Sequence, residues 1–114
     1  KADSVNHYWQ HGTWVYIDPD EQLVELIEET LDLETLCELL RCDATDLVQL
    51  TGDYHAYIDG EGEWRERQTK WDFNGNPCWG PILIFRLNEE EERMDFCTEA
   101  DLEQFEPLVH FYNS

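Results

Sequence analysis

The sequence predicts an α+β domain: a small antiparallel or mixed sheet of four to five strands packed against N-terminal helices, with a short C-terminal helix. Three observations carry this. Apolar residues at Leu23, Leu26 and Ile27, and again at Leu33, Leu36, Cys37 and Leu40, recur at the three-and-four spacing of a buried helix face. Four short runs, TWVYI, DLVQLT, DYHAYID and PILIFRL, are alternating, or β-branched and aromatic, and read as strands. Near the C-terminus, Thr98-Glu99-Ala100-Asp101 has the form of a capping box opening a last helix.

Taken in order, residues 1–12 are polar and irregular and form an N-terminal arm. Thr13 to Ile17 is the first strand, stopped by Asp18-Pro19-Asp20, where Asp18 can cap a helix with Pro19 at its first position. That helix runs from about Pro19 to Glu29. A second runs from about Leu33 to Arg41, with Asp32 or Glu34 suited to the start of its dipole and Arg41 to its end.

Asp46 to Thr51 and Asp53 to Asp59 alternate as strands, with Gly52 as the turn or bulge between them and Gly60-Glu61-Gly62 as the next turn. Glu63 to Trp71 returns as a strand, and Phe73 to Pro77 reads as loop. Pro81 to Leu87 is the most apolar run and so the central strand. Asn88 leads into a solvated run, Glu89 to Glu92, before a short strand over Met94 to Cys97. The last helix ends near Pro107, and Leu108 to Tyr112 is apolar enough to dock on the body. No repeat or long linker divides the 114 residues, so they form one domain.

Charge is the dominant feature. The formal net charge is -20, from 27 acids against 7 bases, in a chain whose 13% aromatic content excludes a disordered class. Bare nucleic acid and anionic membranes repel such a surface, whereas basic proteins and cations attract it. The exception is Trp64 to Trp71, where Arg65, Arg67 and Lys70 face Glu66 alone. With lysine only at positions 1 and 70, the composition also fits a protein kept soluble in high salt.

No apolar run reaches the length of a membrane span and no secretory signal opens the chain, so the expected location is cytoplasmic. Cys37, Cys42, Cys78 and Cys97 are then expected as reduced, mostly buried thiols.

The Ile17-Asp18-Pro19 turn, the strand end Tyr57-Ile58-Asp59 with Gly60 or Gly62, Asn76-Pro77 and the strand led by Gly80 together resemble the small proteins known as domain of unknown function 3846. That family is common in phages, plasmids and their bacterial hosts. The resemblance covers Trp14 to Phe105 and departs at Arg41 to Thr45, where a paired-glycine turn is expected. It implies a compact α+β fold and an origin in mobile genetic elements. It carries over no catalytic residue.

Four constellations are candidates for function. On the predicted helices, Glu21, Glu25 and Glu28 form a row of anions about 5–6 Å apart. Glu29, Asp32, Glu34 and Glu38 extend it, and Glu89, Glu90, Glu91 and Glu92 add a second patch. This surface suits an inhibitor that occupies the basic cleft of a nucleic-acid-handling host protein, such as a defence nuclease, restriction enzyme or CRISPR effector, in the manner of a DNA mimic.

Trp64, Arg65, Arg67, Lys70 and Trp71 are the alternative interface, suited to an accessory domain whose acidity serves solubility. His55, on one strand face with Asp53, Tyr57 and Asp59, is a candidate general base and would make the chain a small enzyme as a third reading, but no nucleophile, phosphate loop or oxyanion device accompanies it. The cysteine spacing and the pair His7 and His11 lack a third metal ligand, and the acidic turn Asp59 to Glu63 lacks the EF-hand pattern. The chain is therefore expected to be a binding protein, without metal or cofactor.

Overall fold

The most apolar run of the sequence is the central strand of the fold, as its composition predicts. The computed structural model describes residues 11–62, 68–88, 93–95 and 97–112. Their elements are β1 (His11–Asp18), β2 (Leu23–Thr30), α1 (Leu33–Leu40), β3 (Thr45–Gln49), β4 (Tyr54–Asp59), β5 (Lys70–Phe73), β6 (Asn76–Trp79), β7 (Ile82–Asn88), β8 (Arg93–Asp95), α2 (Glu99–Phe105), a 3-10 turn at Glu106–Leu108, and β9 (Val109–Phe111).

The larger sheet has the order β2-β1-β7-β4-β3, with β8 also pairing with β7; the smaller has the order β6-β5-β9. Every pairing is antiparallel. Alternation along β7 divides the core in two. Leu83, Phe85 and Leu87 face α1 together with Trp14, Tyr57, Leu36 and Leu40. Ile82 and Ile84 face the smaller sheet and α2, with Val15, Ile17, Trp71, Phe73 and Phe105. The fold is thus three layers: α1, the larger sheet, and the smaller sheet with α2.

The expected arrangement of N-terminal helices against one sheet does not hold. Residues 23–30 are a strand, paired with β1 from Asp18↔Leu23 to His11↔Thr30. The helical spacing misleads because β2 is half-buried on both faces. Ile27 packs under α1, while Val24 and Leu26 join the core on the α2 side, so apolar residues do not keep to alternate positions. Asp18-Pro19-Asp20 closes a hairpin instead of capping a helix: Asp18 Oδ1 accepts the Asp20 N–H at 3.0 Å, and Gln22 takes a left-handed φ of 55°.

Elsewhere the local signals hold. Asp32 caps α1 by accepting the Thr35 N–H at 2.8 Å. The β3–β4 hairpin turns at Gly52, with φ of 60°. At α2 the capping box is present, with the Thr98 N–H donating to Asp101 Oδ2 at 2.7 Å. The tail docks as β9 against β5.

Phe73 to Pro77 is not loop throughout. Asn74 (φ 52°) and Gly75 (φ 83°) form a two-residue hairpin turn, and Asn76 and Pro77 already belong to β6. Of the strand predicted over Glu63 to Trp71, residues 63–67 lie outside the described residues, as do residues 1–10 and the run Glu89 to Glu92. All four cysteines are free thiols, with Cys42 and Cys97 buried.

Candidate partner-binding surface

The predicted single row of anions is replaced by a different grouping. In a strand, successive side chains point to opposite faces. Trp14, which packs with α1, stands opposite Ile27, so Glu25 and Glu29, an even number of positions from Ile27, also lie on the α1 face. Glu28 falls on the opposite face, and Glu21 sits in the turn before the strand. The expected alignment of Glu21, Glu25 and Glu28 therefore does not exist.

On the α1 face, however, Glu25 and Glu29 are joined by Glu34 and Glu38, exposed on the helix that covers the same face. Glu34 and Glu38 are four apart, so their side chains are neighbours along one helix row. Asp32 is also exposed, but its hydrogen bond from Thr35 N–H holds its carboxyl below the usual carboxylate range. It serves the helix as a cap.

Among the described residues, no cation offsets this group. Arg41, in the left-handed C-cap position of α1 (φ 55°), turns its guanidinium to Asp18 Oδ2 at 2.6 Å and to Asp20 Oδ2 at 3.0 Å. His11 Nε2 lies 3.1 Å from Glu28, on the other face. Among the described residues, Glu25, Glu29, Glu34 and Glu38 form no salt bridge.

The surface is held rigidly from beneath. The Tyr16 hydroxyl donates to the Leu39 carbonyl at 2.7 Å, and burial, aided by the charge of Asp18, pushes its phenol up to about 12. Trp14 Nε1 donates to the Glu29 carbonyl at 3.0 Å.

The alternative interface is only partly placed. Trp71 is not a surface residue: it is fully buried, and its Nε1 donates to the Gly80 carbonyl at 2.8 Å. Alternation puts Lys70 on the opposite, outer face of the smaller sheet, where its Nζ lies 5.6 Å from the Trp79 ring centre and 6.0 Å from that of Tyr112. Tyr112, and the pairing of Trp79 with Lys70, are what sequence reasoning missed. Strict period-two counting across the Asn74-Gly75 turn would have found Trp79. Trp64, Arg65 and Arg67 lie outside the described residues.

Beside this face is a cavity of about 290 Å³, lined by Ile58, Asp59, Gly60, Gly62, Pro77, Cys78, Trp79 and Ile82. Burial, with the charge of Asp72 second, pushes the Cys78 thiol up to about 11, which keeps it protonated and weakly nucleophilic at neutral pH. Asp59 Oδ2 accepts Gln68 Nε2 and its Oδ1 accepts the Glu61 N–H, both at 2.9 Å, so the acidic turn is closed on itself.

His55 does not line this cavity. It is buried, stacked on Phe85 with ring centres 5.7 Å apart, and its Nδ1 lies 3.1 Å from the Asp53 carbonyl. Tyr57 stacks on Phe85 as well, at 5.1 Å. These contacts assign the His55 ring to packing. Among the described residues, no cluster of three or more His, Cys, Asp or Glu could hold a metal ion, and no helix is long and apolar enough to cross a membrane.

No family model, no curated protein and no solved structure matches the chain, and function is therefore read from geometry and charge.

Proposed function

We propose that this protein acts by binding, and that its partner is a basic, nucleic-acid-handling protein which it blocks. The observation that carries this reading is the group Glu25, Glu29, Glu34 and Glu38: four exposed carboxylates on the α1 face of the larger sheet, to which no cation among the described residues is paired. A basic cleft brought against this face gains Coulomb attraction and loses the repulsion among the acids. Occupying such a cleft excludes the nucleic acid sterically as well as electrostatically. The strand geometry gives up the even helical row, so the reading rests on density of charge rather than on imitation of phosphate spacing. The resemblance to domain of unknown function 3846 is consistent with a mobile-element protein acting on a host target, with restriction enzymes, defence nucleases and CRISPR effectors as the classes to test first.

The test is capture from host lysate at low and at high salt, with identification of the bound proteins by mass spectrometry. A basic DNA- or RNA-handling protein that is lost as salt rises, and is lost at low salt with Glu25→Lys/Glu29→Lys, is the expected result. Capture that survives both changes contradicts it.

A second reading is favoured by one observation, the outer face of the smaller sheet, where Lys70, Trp79 and Tyr112 cluster beside the 290 Å³ cavity. Aromatic residues beside a concave site are a common anchor for protein partners. In an accessory domain of this kind Trp79→Ala abolishes capture, and the Glu25/Glu29 variant leaves it intact.

A further inference from the structure

The larger sheet ends on β2, and the hydrogen-bond parity of the strands fixes which backbone groups that edge presents. The Leu87 N–H donates to the Asp53 carbonyl at 2.9 Å, which turns Leu87, and by alternation Phe85 and Leu83, towards β4. Ile84 and Ile82 therefore turn towards β1, where they meet Val15 and Ile17. The Cys97 N–H donating to the Thr13 carbonyl at 2.8 Å confirms that the odd residues of β1 face away from β2. Trp14 and Tyr16 then bond β2 through Ile27 and Glu25. It follows that Val24, Leu26, Glu28 and Thr30 turn their N–H and C=O groups outward, and no other described segment bonds them.

An eight-residue edge whose outward main-chain groups no described segment pairs is a template for an added strand. The other end of the sheet, β3, has five residues, exposes Leu47 and carries the single acid Asp46, against Glu25, Glu28 and Glu29 on β2. Charge decides the occupant at β2. A second copy of this chain would bring Glu25, Glu28 and Glu29 against their own equivalents in a protein of net charge -20.

We propose that the β2 edge binds an extended basic segment of the partner by strand addition, its main chain pairing with Val24, Leu26, Glu28 and Thr30. Lysine or arginine at alternate positions meets Glu25 and Glu29 on the α1 face. Uncharged residues between them lie beside Val24 and Leu26. This rests on the basic-partner reading and adds the mode of binding.

The test uses the whole chain and two synthetic peptides as long as β2, an alternating Lys-Thr strand and a Lys-Pro repeat of equal charge that lacks every second donor. Binding is measured by titration, and amide hydrogen exchange is read residue by residue. The Lys-Thr peptide is expected to bind at least about tenfold more tightly, since loss of two or more hydrogen bonds is worth that factor. It is also expected to slow exchange at Val24, Leu26, Glu28 and Thr30.

Glu28→Pro should weaken binding of the Lys-Thr peptide by about tenfold more than Glu28→Gln. Both variants remain folded, because the Glu28 N–H is not used in pairing with β1. Equal binding of the two peptides without new protection overturns strand addition and leaves the basic-partner reading standing. Binding of neither overturns strand addition, and salt-sensitive capture from lysate then decides the basic-partner reading separately. Concentration-dependent protection of the same amides in the protein alone makes a second copy the occupant and also overturns it.

Discussion

Asp101 and Glu29 are both carboxylates on the two sides of one sheet, but the fold treats them in opposite ways. Asp101 is 7% exposed and accepts from the Thr98 N–H and from the Tyr54 hydroxyl. Asp18, 3% exposed, is held by Arg41, and Asp59, 4% exposed, by Gln68. Each interior acid is therefore a structural part with assigned donors. The exposed acids Glu25, Glu29, Glu34 and Glu38 form no ion pair among the described residues and repel one another. Apart from Glu34 at the start of the α1 dipole, these are charges that the fold does not use and that oppose it weakly, and they are the ones free to meet a partner. Substitution should separate the two sets cleanly.

The largest expected effect is on the interior set. Arg41→Ala strands the buried Asp18 carboxylate and should lower unfolding free energy by about 2–3 kcal/mol in urea titration, less than a fully buried pair because Arg41 itself is partly exposed. Next is Gly80→Ala, which acts on Asp59 through its partner. Gly80 has φ of 82°, and a Cβ there would stand 2.5 Å from Gln68 Oε1. The strain and the displaced Gln68 together should cost roughly 2 kcal/mol.

Asp101→Ala removes the capping box and should cost about 1–2 kcal/mol near neutral pH. This loss depends on pH. Burial raises the Asp101 pKa, but hydrogen bonds from Tyr54 and Thr98 outweigh it and hold the carboxyl below its ordinary value. The stabilisation is therefore present above about pH 4 and is lost as pH falls through the lowered value. The wild-type curve should drop more steeply in acid than that of the variant.

The smallest effect has the opposite sign. Glu38→Gln removes the like-charge neighbour of Glu34 and an anion from the last turn of α1, and should raise stability by a few tenths of a kcal/mol at low salt, an advantage that disappears as salt is added. A loss of stability would mean that Glu38 belongs with the interior set.

How far the sequence revealed this arrangement depended on whether an element had one buried face or two. β7 announced itself by its apolar run, α1 by Leu36 and Leu40 behind the Asp32 cap, and α2 by Thr98 and Asp101. Those signals are local, and each element resolves them locally. β2 could not be recognised in this way, because Ile27 on one face packs into the core beneath α1 while Val24 and Leu26 on the other pack towards α2. Leu23, Leu26 and Ile27 then imitate a helix, and glutamate, a good helix former, adds to the imitation. The acids of the candidate surface were legible as residues, but their grouping was not. Placing Glu25 and Glu29 with Glu34 and Glu38, and Glu28 apart from them, required the register of β1 on β2. Asn74-Gly75 is a different case: the hairpin signal was present, and its two-residue length was enough to place Trp79 opposite Lys70.

The separation of the two sets is tested most directly by the salt dependence of partner affinity in the wild type and in Glu25→Gln/Glu29→Gln/Glu34→Gln/Glu38→Gln, with thermal unfolding of both proteins alongside. The account predicts that the wild type binds strongly at low salt and progressively less as salt rises, and that the variant binds at least about tenfold more weakly while unfolding at the same or a higher temperature. A variant that retains wild-type affinity and salt dependence would contradict it.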